Sequence, residues 1–223
     1  MKMFWDKMYK GNNRIWGEEP SELAVFAVYY LKTLELNDKN LSILDVGCGY
    51  GRDAVYFSKH LRCTVLGIDS SKEAIDMAKT TCSKASNIEF RCCDFTETGN
   101  SKYDVVSISN IYHFFKGDAR KKLRATIIKH LKPEGLLFLS TLSPKDPQDY
   151  GKGIPVPNEH NSFTDKVYLH FCTRNELGNK FNFLKIKELY EHEYYEPHST
   201  GEVHHHISWI LIGKSAGISY NMQ

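Results

Sequence analysis

One stretch constrains the fold of this chain more than any other: Ile43-Leu44-Asp45-Val46-Gly47-Cys48-Gly49-Tyr50-Gly51-Arg52-Asp53. A short apolar run ending in an acid reads as a buried strand. The three glycines that follow read as a sharp turn, because a residue without Cβ enters positive φ freely and lets a ligand come close. A helix then starts at Arg52, and the free amides of its first turn face whatever lies beyond the strand end. Dinucleotide loops of the nicotinamide type space their glycines G-x-G-x-x-G. Here the spacing is G-x-G-x-G, and Asp45 lies two residues before the first glycine. A carboxylate there suits a ligand with a cationic amine better than a pyrophosphate.

Two more strand-like runs end in acids. Cys63-Thr64-Val65-Leu66-Gly67-Ile68-Asp69 stops at Asp69, and Asn87-Ile88-Glu89-Phe90-Arg91-Cys92-Cys93-Asp94-Phe95 reaches Asp94. Asp69 follows the loop by roughly 20 residues, the separation at which a Rossmann-like unit places the acid that takes ribose hydroxyls. A carboxylate accepts from both hydroxyls, which is why an acid belongs there. The glycine loop resembles motif I of the S-adenosylmethionine (SAM)-dependent methyltransferases, and three strand-end acids in register with it extend the resemblance. It implies that Asp94, or the amides beside it, meets the adenine amino group, with Phe95 near the ring.

The rest of the chain alternates helix and strand signals. A helix begins after Pro20 with Ser21 as cap, and Leu23, Phe26, Tyr30, Leu31 and Leu34 share its expected buried face. Ser70-Ser71-Lys72-Glu73 reads as a capping box between Ser70 and Glu73. Tyr103 to Asn110 reads as a fourth strand, so close to the third that the usual intervening helix shrinks to a turn. Asp118 looks like the cap of a helix reaching Leu131, with Leu123, Ile127, Ile128 and Leu131 on one face. Lys132-Pro133-Glu134-Gly135 stops that helix ahead of an apolar strand from Leu136 to Leu142. Thr173-Arg174-Asn175-Glu176 is a second capping box, and the segments 184–194 and 203–213 suggest an antiparallel hairpin. The tail after Gly213 is expected to fray.

These elements give an α/β fold with a mostly parallel sheet covered on both faces. The resemblance implies a Rossmann-like, doubly wound seven-stranded sheet, order 3-2-1-4-5-7-6, with strand seven antiparallel. A single domain is expected over residues 1–223. Residues 1–40 would form an N-terminal lid and helix, 41–143 the cofactor-binding core, 144–172 a substrate loop, and 173–213 the C-terminal helix and hairpin.

A formal net charge of +2, with scattered Lys and Arg, gives no argument for nucleic acid or an anionic membrane as partner. The longest apolar stretch, near Gly135 to Leu142, is too short to span a bilayer, and the N-terminus lacks the apolar core of a signal peptide. A cytoplasmic protein is expected; its oligomeric state is not legible. The six cysteines form no C-x-x-C pair, so no metal site is expected from them. On a strand, His204 and His206 of the His204-His205-His206 run point the same way, but no spacing supplies a third metal ligand. A solvent-facing cluster at a hairpin end is expected, or one histidine lining the acceptor pocket.

Within the superfamily the chain is similar to the tellurite-resistance and thiopurine-type small-molecule methyltransferases. The similarity rests on Gly49-Tyr50-Gly51-Arg52-Asp53 followed by Tyr56-Phe57, on Trp5 and Trp16 before the first helix, and on Phe171-Cys172-Thr173-Arg174-Asn175-Glu176-Leu177. It implies SAM as cofactor, held by Asp45, Gly47, Cys48, Gly49, Gly51, Arg52, Asp69, Ser70, Asp94, Phe95, Ser109, Asn110 and Trp16. The residues after strand four, Asn110-Ile111-Tyr112-His113-Phe114-Phe115, border the methyl-transfer site in that fold, which makes Asn110, Tyr112 and His113 the catalytic candidates. The N-P-P-[YF] signature and the Pro-Cys nucleophile of nucleic-acid enzymes are absent. A small-molecule acceptor is expected, with a soft S, Se, As or Te nucleophile that needs little base assistance. The alternatives are N- or O-methylation of a small molecule or macromolecule with His113 as base, or a SAM-binding protein without catalysis.

Overall fold

The structure is a computed structural model and describes residues 2–11, 14–83, 85–197 and 201–216. The chain runs through α1 (Lys2–Tyr9), α2 (Glu22–Thr33), β1 (Leu41–Val46), α3 (Arg52–His60), β2 (Cys63–Asp69), α4 (Lys72–Thr81), β3 (Ile88–Cys92) and β4 (Tyr103–Ile108). It continues with α5 (Gly117–His130), β5 (Leu131–Leu142), the short strands β6 (Ile154–Pro155), β7 (Ser162–Thr164) and β8 (Tyr168–His170), then α6 (Arg174–Lys180), β9 (Leu184–Pro197) and β10 (Val203–Ser215). The main sheet has the order β3-β2-β1-β4-β5-β10-β9. The first five strands are parallel, and β10 is antiparallel to both of its neighbours. Counted within the sheet, this is the expected 3-2-1-4-5-7-6 order.

Side chains alternate across a strand, so adjacent residues feed opposite cores. Ile43, Val65, Val105, Phe138 and Ile210 pack beneath α2, α3 and α4. Their neighbours Leu44, Leu66, Val106, Leu137 and Leu211 pack beneath α5 and α6. Apolar burial on both faces is what a parallel sheet requires. A third, smaller cluster of Tyr9, Ile15, Tyr50, Ala74 and Met77 fastens the N-terminal segment over the glycine loop and α4.

Local details depart from expectation where packing overrides pattern. On α2, Ser21 caps as expected, its side chain accepting from Ala24 N. The buried face is Leu23, Ala24, Ala27, Val28 and Leu31, while Leu34 is exposed. Small alanines let the helix lie close to the sheet and push Phe26 and Tyr30 to its rim. The α4 cap is Ser71, not Ser70, because Asp69 Oδ1 accepts from Ser71 N at 2.8 Å and delays the helix by one residue. On α5, Asp118 sits inside the first turn instead of capping it, and Ile128 faces solvent. The buried side of α5 includes Arg120, which donates to Phe115 O at 2.6 Å and Tyr168 Oη at 2.9 Å. Lys132-Pro133-Glu134-Gly135 lies within β5 as an irregularity, since Leu131 already pairs with Tyr103 before the register shifts. A Cβ on Gly135 would stand 2.9 Å from Lys132 O.

The third strand stops at Cys92, and Asp94 caps a short 3-10 turn, Phe95–Glu97, in place of the missing helix. The segment expected as a long loop folds instead into the small antiparallel sheet β6-β7-β8. Thr173 caps α6 as expected, accepting from Glu176 N at 3.1 Å. β10 runs on to Ser215, and the rest of the expected frayed tail, 217–223, lies outside the described residues. Among the described residues, no helix is long and apolar enough to cross a membrane.

Candidate active site

The glycine loop is shaped by its neighbour strand. Gly47 N and Cys48 N both donate to Ile68 O, at 2.8 and 3.0 Å. Asp69, at the end of β2, accepts from Gly49 N at 3.0 Å through Oδ2 and from Ser71 N through Oδ1. One carboxylate therefore ties the loop to the start of α4. Its burial pushes its pKa up against the pull of those amides. The glycines are not equivalent. The missing Cβ of Gly49 would meet only the Tyr9 ring, 3.1 Å from its hydroxyl, whereas a Cβ on Gly51 would lie 2.6 Å from Phe90 Cζ. Gly51 is thus required by helix-strand packing, not by approach to a ligand.

A cavity of about 860 Å³ lies at the C-terminal ends of the strands, between the loops after β1 and β4. That is the switch point of the sheet, where open α/β sheets bind ligands. Gly47, Cys48, Gly49, Arg52, Asp69 and Ser70 line it on the β1-β2 side; Asp94 and Phe95 line it beyond β3; Ser109, Asn110 and His113 line it beyond β4; Trp16 lines it from the N-terminal segment. Asp94 is exposed and accepts from Thr96 N at 2.9 Å.

Three expected site residues stand apart from the cavity wall. Gly51 lies behind it. Tyr112 is fully buried in the core against Phe181, its hydroxyl accepting from Arg124 Nη1 at 2.9 Å, so it is placed to support the turn and not to meet an acceptor. Asp45 is also buried. Its Oδ2 has no hydrogen-bond partner, and burial beside Asp53 and Asp69 holds its carboxyl well above the usual range. Arg52 reaches the wall, but its guanidinium donates to Trp16 O at 2.7 Å and Glu19 O at 3.2 Å and pairs with Glu196 at 3.3 Å, which makes it a strut between the N-terminal segment and β9.

Asn110 has a left-handed backbone, φ 52°. Its amide is fixed: Ser140 Oγ donates to Oδ1 at 2.8 Å, and Nδ2 donates to Tyr194 Oη at 3.2 Å. His113 is buried. Its Nδ1 accepts from Leu142 N at 3.4 Å, so the neutral ring carries its proton on Nε2. Burial, reinforced by the nearby His206, pushes its pKa down to about 3. At neutral pH His113 is a hydrogen-bond donor with little basicity.

The histidine run lies on β10. His205 faces outward to Glu193, whereas His204 and His206 turn toward the cavity. His206 is buried, and its Nδ1 lies 2.9 Å from Asp146 Oδ2. Sequence reasoning missed Asp146 and Ser140. Asp146 sits in a segment read only as a loop, and nothing local links it to a residue 60 positions later.

The cavity is roofed by α1. Trp5 packs edge-on to Phe114 at 4.9 Å, and Asp6 accepts from Ser71 Oγ at 2.7 Å. Closure of such a helix over a ligand excludes water. Amide hydrogen exchange in residues 2–9 is therefore expected to slow when S-adenosylhomocysteine binds. Equal protection in both states would make this segment a fixed wall.

Sheet order, glycine loop and strand-end acids together give the Rossmann-like fold of the SAM-dependent methyltransferases. Residues 43–135 match the family model described as a methyltransferase domain. It is 29% identical over 166 residues to a ubiquinone biosynthesis O-methyltransferase of Bartonella tribocorum, covering 64% of this chain and 65% of that one. Against the curated relatives it matches, the chain spans between 27% and 65% of their length. Its fold is shared with a structure from work on conversion of a disulfide bond into a thioacetal group during echinomycin biosynthesis, with TM-score 0.74, 21% identity, and coverage of 99% and 93% of the two chains. It is also shared with TehB of Haemophilus influenzae, with TM-score 0.66, 16% identity, and coverage of 95% and 67%.

The residues present fit SAM. The ligand has a cationic amine, a ribose diol and an adenine. The site offers a carboxylate on Asp69 and a backbone cradle at Gly49, and behind the wall Asp45 keeps a buried oxygen with no hydrogen-bond partner.

Proposed function

We propose that this protein is a cytoplasmic enzyme that transfers the methyl group of SAM to a small-molecule acceptor with a soft, thiol-type nucleophile. The observation that carries the reading is one continuous cavity. It runs from the loop acids to His113 and is covered by α1 on one side, with Phe163 and Leu169 of the small sheet on its wall. Its volume suits a cofactor and a compact acceptor. SAM, when bound, supplies a methyl group activated by a sulfonium. The chain's part is to hold the reactants in line and keep water out. Asp69 and the loop amides would hold the cofactor, with Asp45 buried behind them. Asn110, locked by Ser140 and Tyr194, would orient the acceptor end, and His113 Nε2–H would donate a positioning hydrogen bond. The six free cysteines fit a reducing compartment.

The test is turnover of SAM to S-adenosylhomocysteine against a panel of small thiols, selenols, phenols and amines, with wild type and His113→Gln. Turnover of a soft acceptor is expected, with the variant losing less than about tenfold in rate, whereas loss of a general base costs about 10²–10⁴-fold. Because burial and His206 hold His113 near pKa 3, its removal should leave any near-neutral limb of the pH-rate profile in place. A large loss together with disappearance of that limb would make His113 the base and favour N- or O-methylation.

A further inference from the structure

Two of the three histidines on the cavity wall are held in opposite ways. His113 accepts a backbone N–H on Nδ1. His206, across the same cavity, has Asp146 Oδ2 on its Nδ1 at 2.9 Å. Asp146 is held rigidly. Its Oδ2 also accepts from Ile207 N at 3.0 Å, its Oδ1 accepts from Asp149 N at 2.8 Å, and its side chain has no solvent exposure. A carboxylate that already takes two backbone N–H donors acts toward the imidazole as an acceptor, which places the ring proton on Nδ1. That leaves the lone pair of the neutral ring on Nε2, the nitrogen not engaged by Asp146.

We propose that His206 and Asp146 form a proton-accepting pair, with His206 Nε2 removing the proton of a thiol acceptor as it is methylated. This rests on the methyl-transfer reading above and narrows it: the acceptor carries an S–H proton to lose. The acceptor's S–H bond breaks and its proton goes to Nε2. The freed electron pair forms the new S–CH₃ bond. The sulfonium S–CH₃ bond breaks with its pair kept on sulfur, and the imidazolium later releases its proton to solvent. Asp146 stabilises the imidazolium and fixes the tautomer, as an orienting carboxylate does for other catalytic histidines.

The surroundings favour this role. Asp146 and Asp149 reach His206 from the segment after β5, Tyr194 and Glu196 from β9, His204 from its own strand, and His113 from the turn after β4. The hydrogen bond from Asp146, with Asp149 and Glu196, outweighs burial and raises the His206 pKa above its ordinary value, while His113 is pushed far below. Two titratable groups driven apart in one cavity mark a division between proton acceptor and donor. His170 also pairs with a carboxylate, Glu176, but its other nitrogen is taken by Ser162 Oγ at 2.8 Å, and it does not line the cavity.

Two measurements test the pair. The first needs no acceptor. The imidazole of His206 is titrated by NMR in the S-adenosylhomocysteine-bound protein, with His206→Gln to identify the signal. A midpoint above about 6.5, the ordinary histidine value, is expected, falling in Asp146→Asn. A midpoint below that in the wild type, or one indifferent to a folded Asp146→Asn, overturns the proposal. The second compares para-nitrothiophenol, ionised at neutral pH, with beta-mercaptoethanol, which is not. His206→Gln should lose about 10²–10⁴-fold on the alkyl thiol, with its near-neutral pH limb gone, and far less on the aryl thiol. Equal losses on both would overturn a base role and leave His206 a packing residue. If the wild type binds SAM yet methylates neither thiol, the thiol-acceptor reading falls, and with it the proton transfer proposed here, whatever the titration shows.

Discussion

Asp69→Ala is expected to weaken SAM binding roughly ten- to hundredfold. A hydrogen bond to a charged group contributes about 1.5–3 kcal/mol, and every 1.4 kcal/mol or so is tenfold in affinity. Asp69 stands to lose more than a ribose contact, since the same carboxylate holds Gly49 N and Ser71 N. Calorimetry measures the affinity, and a thermal scan confirms that the variant folds. The decisive comparison is Asp69→Asn, which keeps an acceptor for one amide but carries no charge. It should fall between wild type and alanine. A folded Asp69→Ala with wild-type affinity would remove this residue from the cofactor site.

Gly51→Ala should cost stability without touching a ligand contact. The residue has φ +84°, where an L side chain costs roughly 1–2 kcal/mol. Its Cβ would lie 2.6 Å from Phe90 Cζ and 2.9 Å from Cε1, in a core where overpacking costs about 1–3 kcal/mol. The sum, about 2–5 kcal/mol, corresponds to a fall in Tm of roughly 4–20 °C for a chain of this size. The partner change Phe90→Leu, which shortens the obstructing side chain, should recover part of that loss. An unchanged Tm in Gly51→Ala would mean that the ring and turn relax freely.

These two substitutions divide the glycine loop by function, and that division was only half legible. The G-x-G-x-G run announces a strand, a turn and a helix because each step is local: apolar residues in sequence, then positive φ, then a helix start. Which glycine faces a ligand depends on what packs behind it. Phe90 is two helices and a strand away from Gly51, so its ring is invisible in the spacing. The same limit explains Tyr112 and His113. They are neighbours on one short turn, yet one points into the core against Phe181 and the other into the cavity. A three-residue turn has no periodicity long enough to say which.

Sequence alone determined the parallel α/β plan, the terminal hairpin, the strand-end acids Asp45, Asp69 and Asp94, and the loop between β1 and α3. Each is written in residues close together, through apolar runs, capping residues and turns whose physics acts over a few positions. Tertiary structure decided the rest. It chose the alanine-rich face of α2, the bulge in β5 and the small sheet in the segment before α6. It also brought Asp146 onto His206 from 60 positions away, set Ser140 and Tyr194 on Asn110, and left Asp45 behind the wall with an unpartnered oxygen. A hydrogen bond between distant segments depends on how the sheet closes and which loops it brings to one edge. That closure sets the burial and charge around each group, and so decides that two histidines of one chemistry become a neutral donor at position 113 and a carboxylate-paired imidazole at position 206.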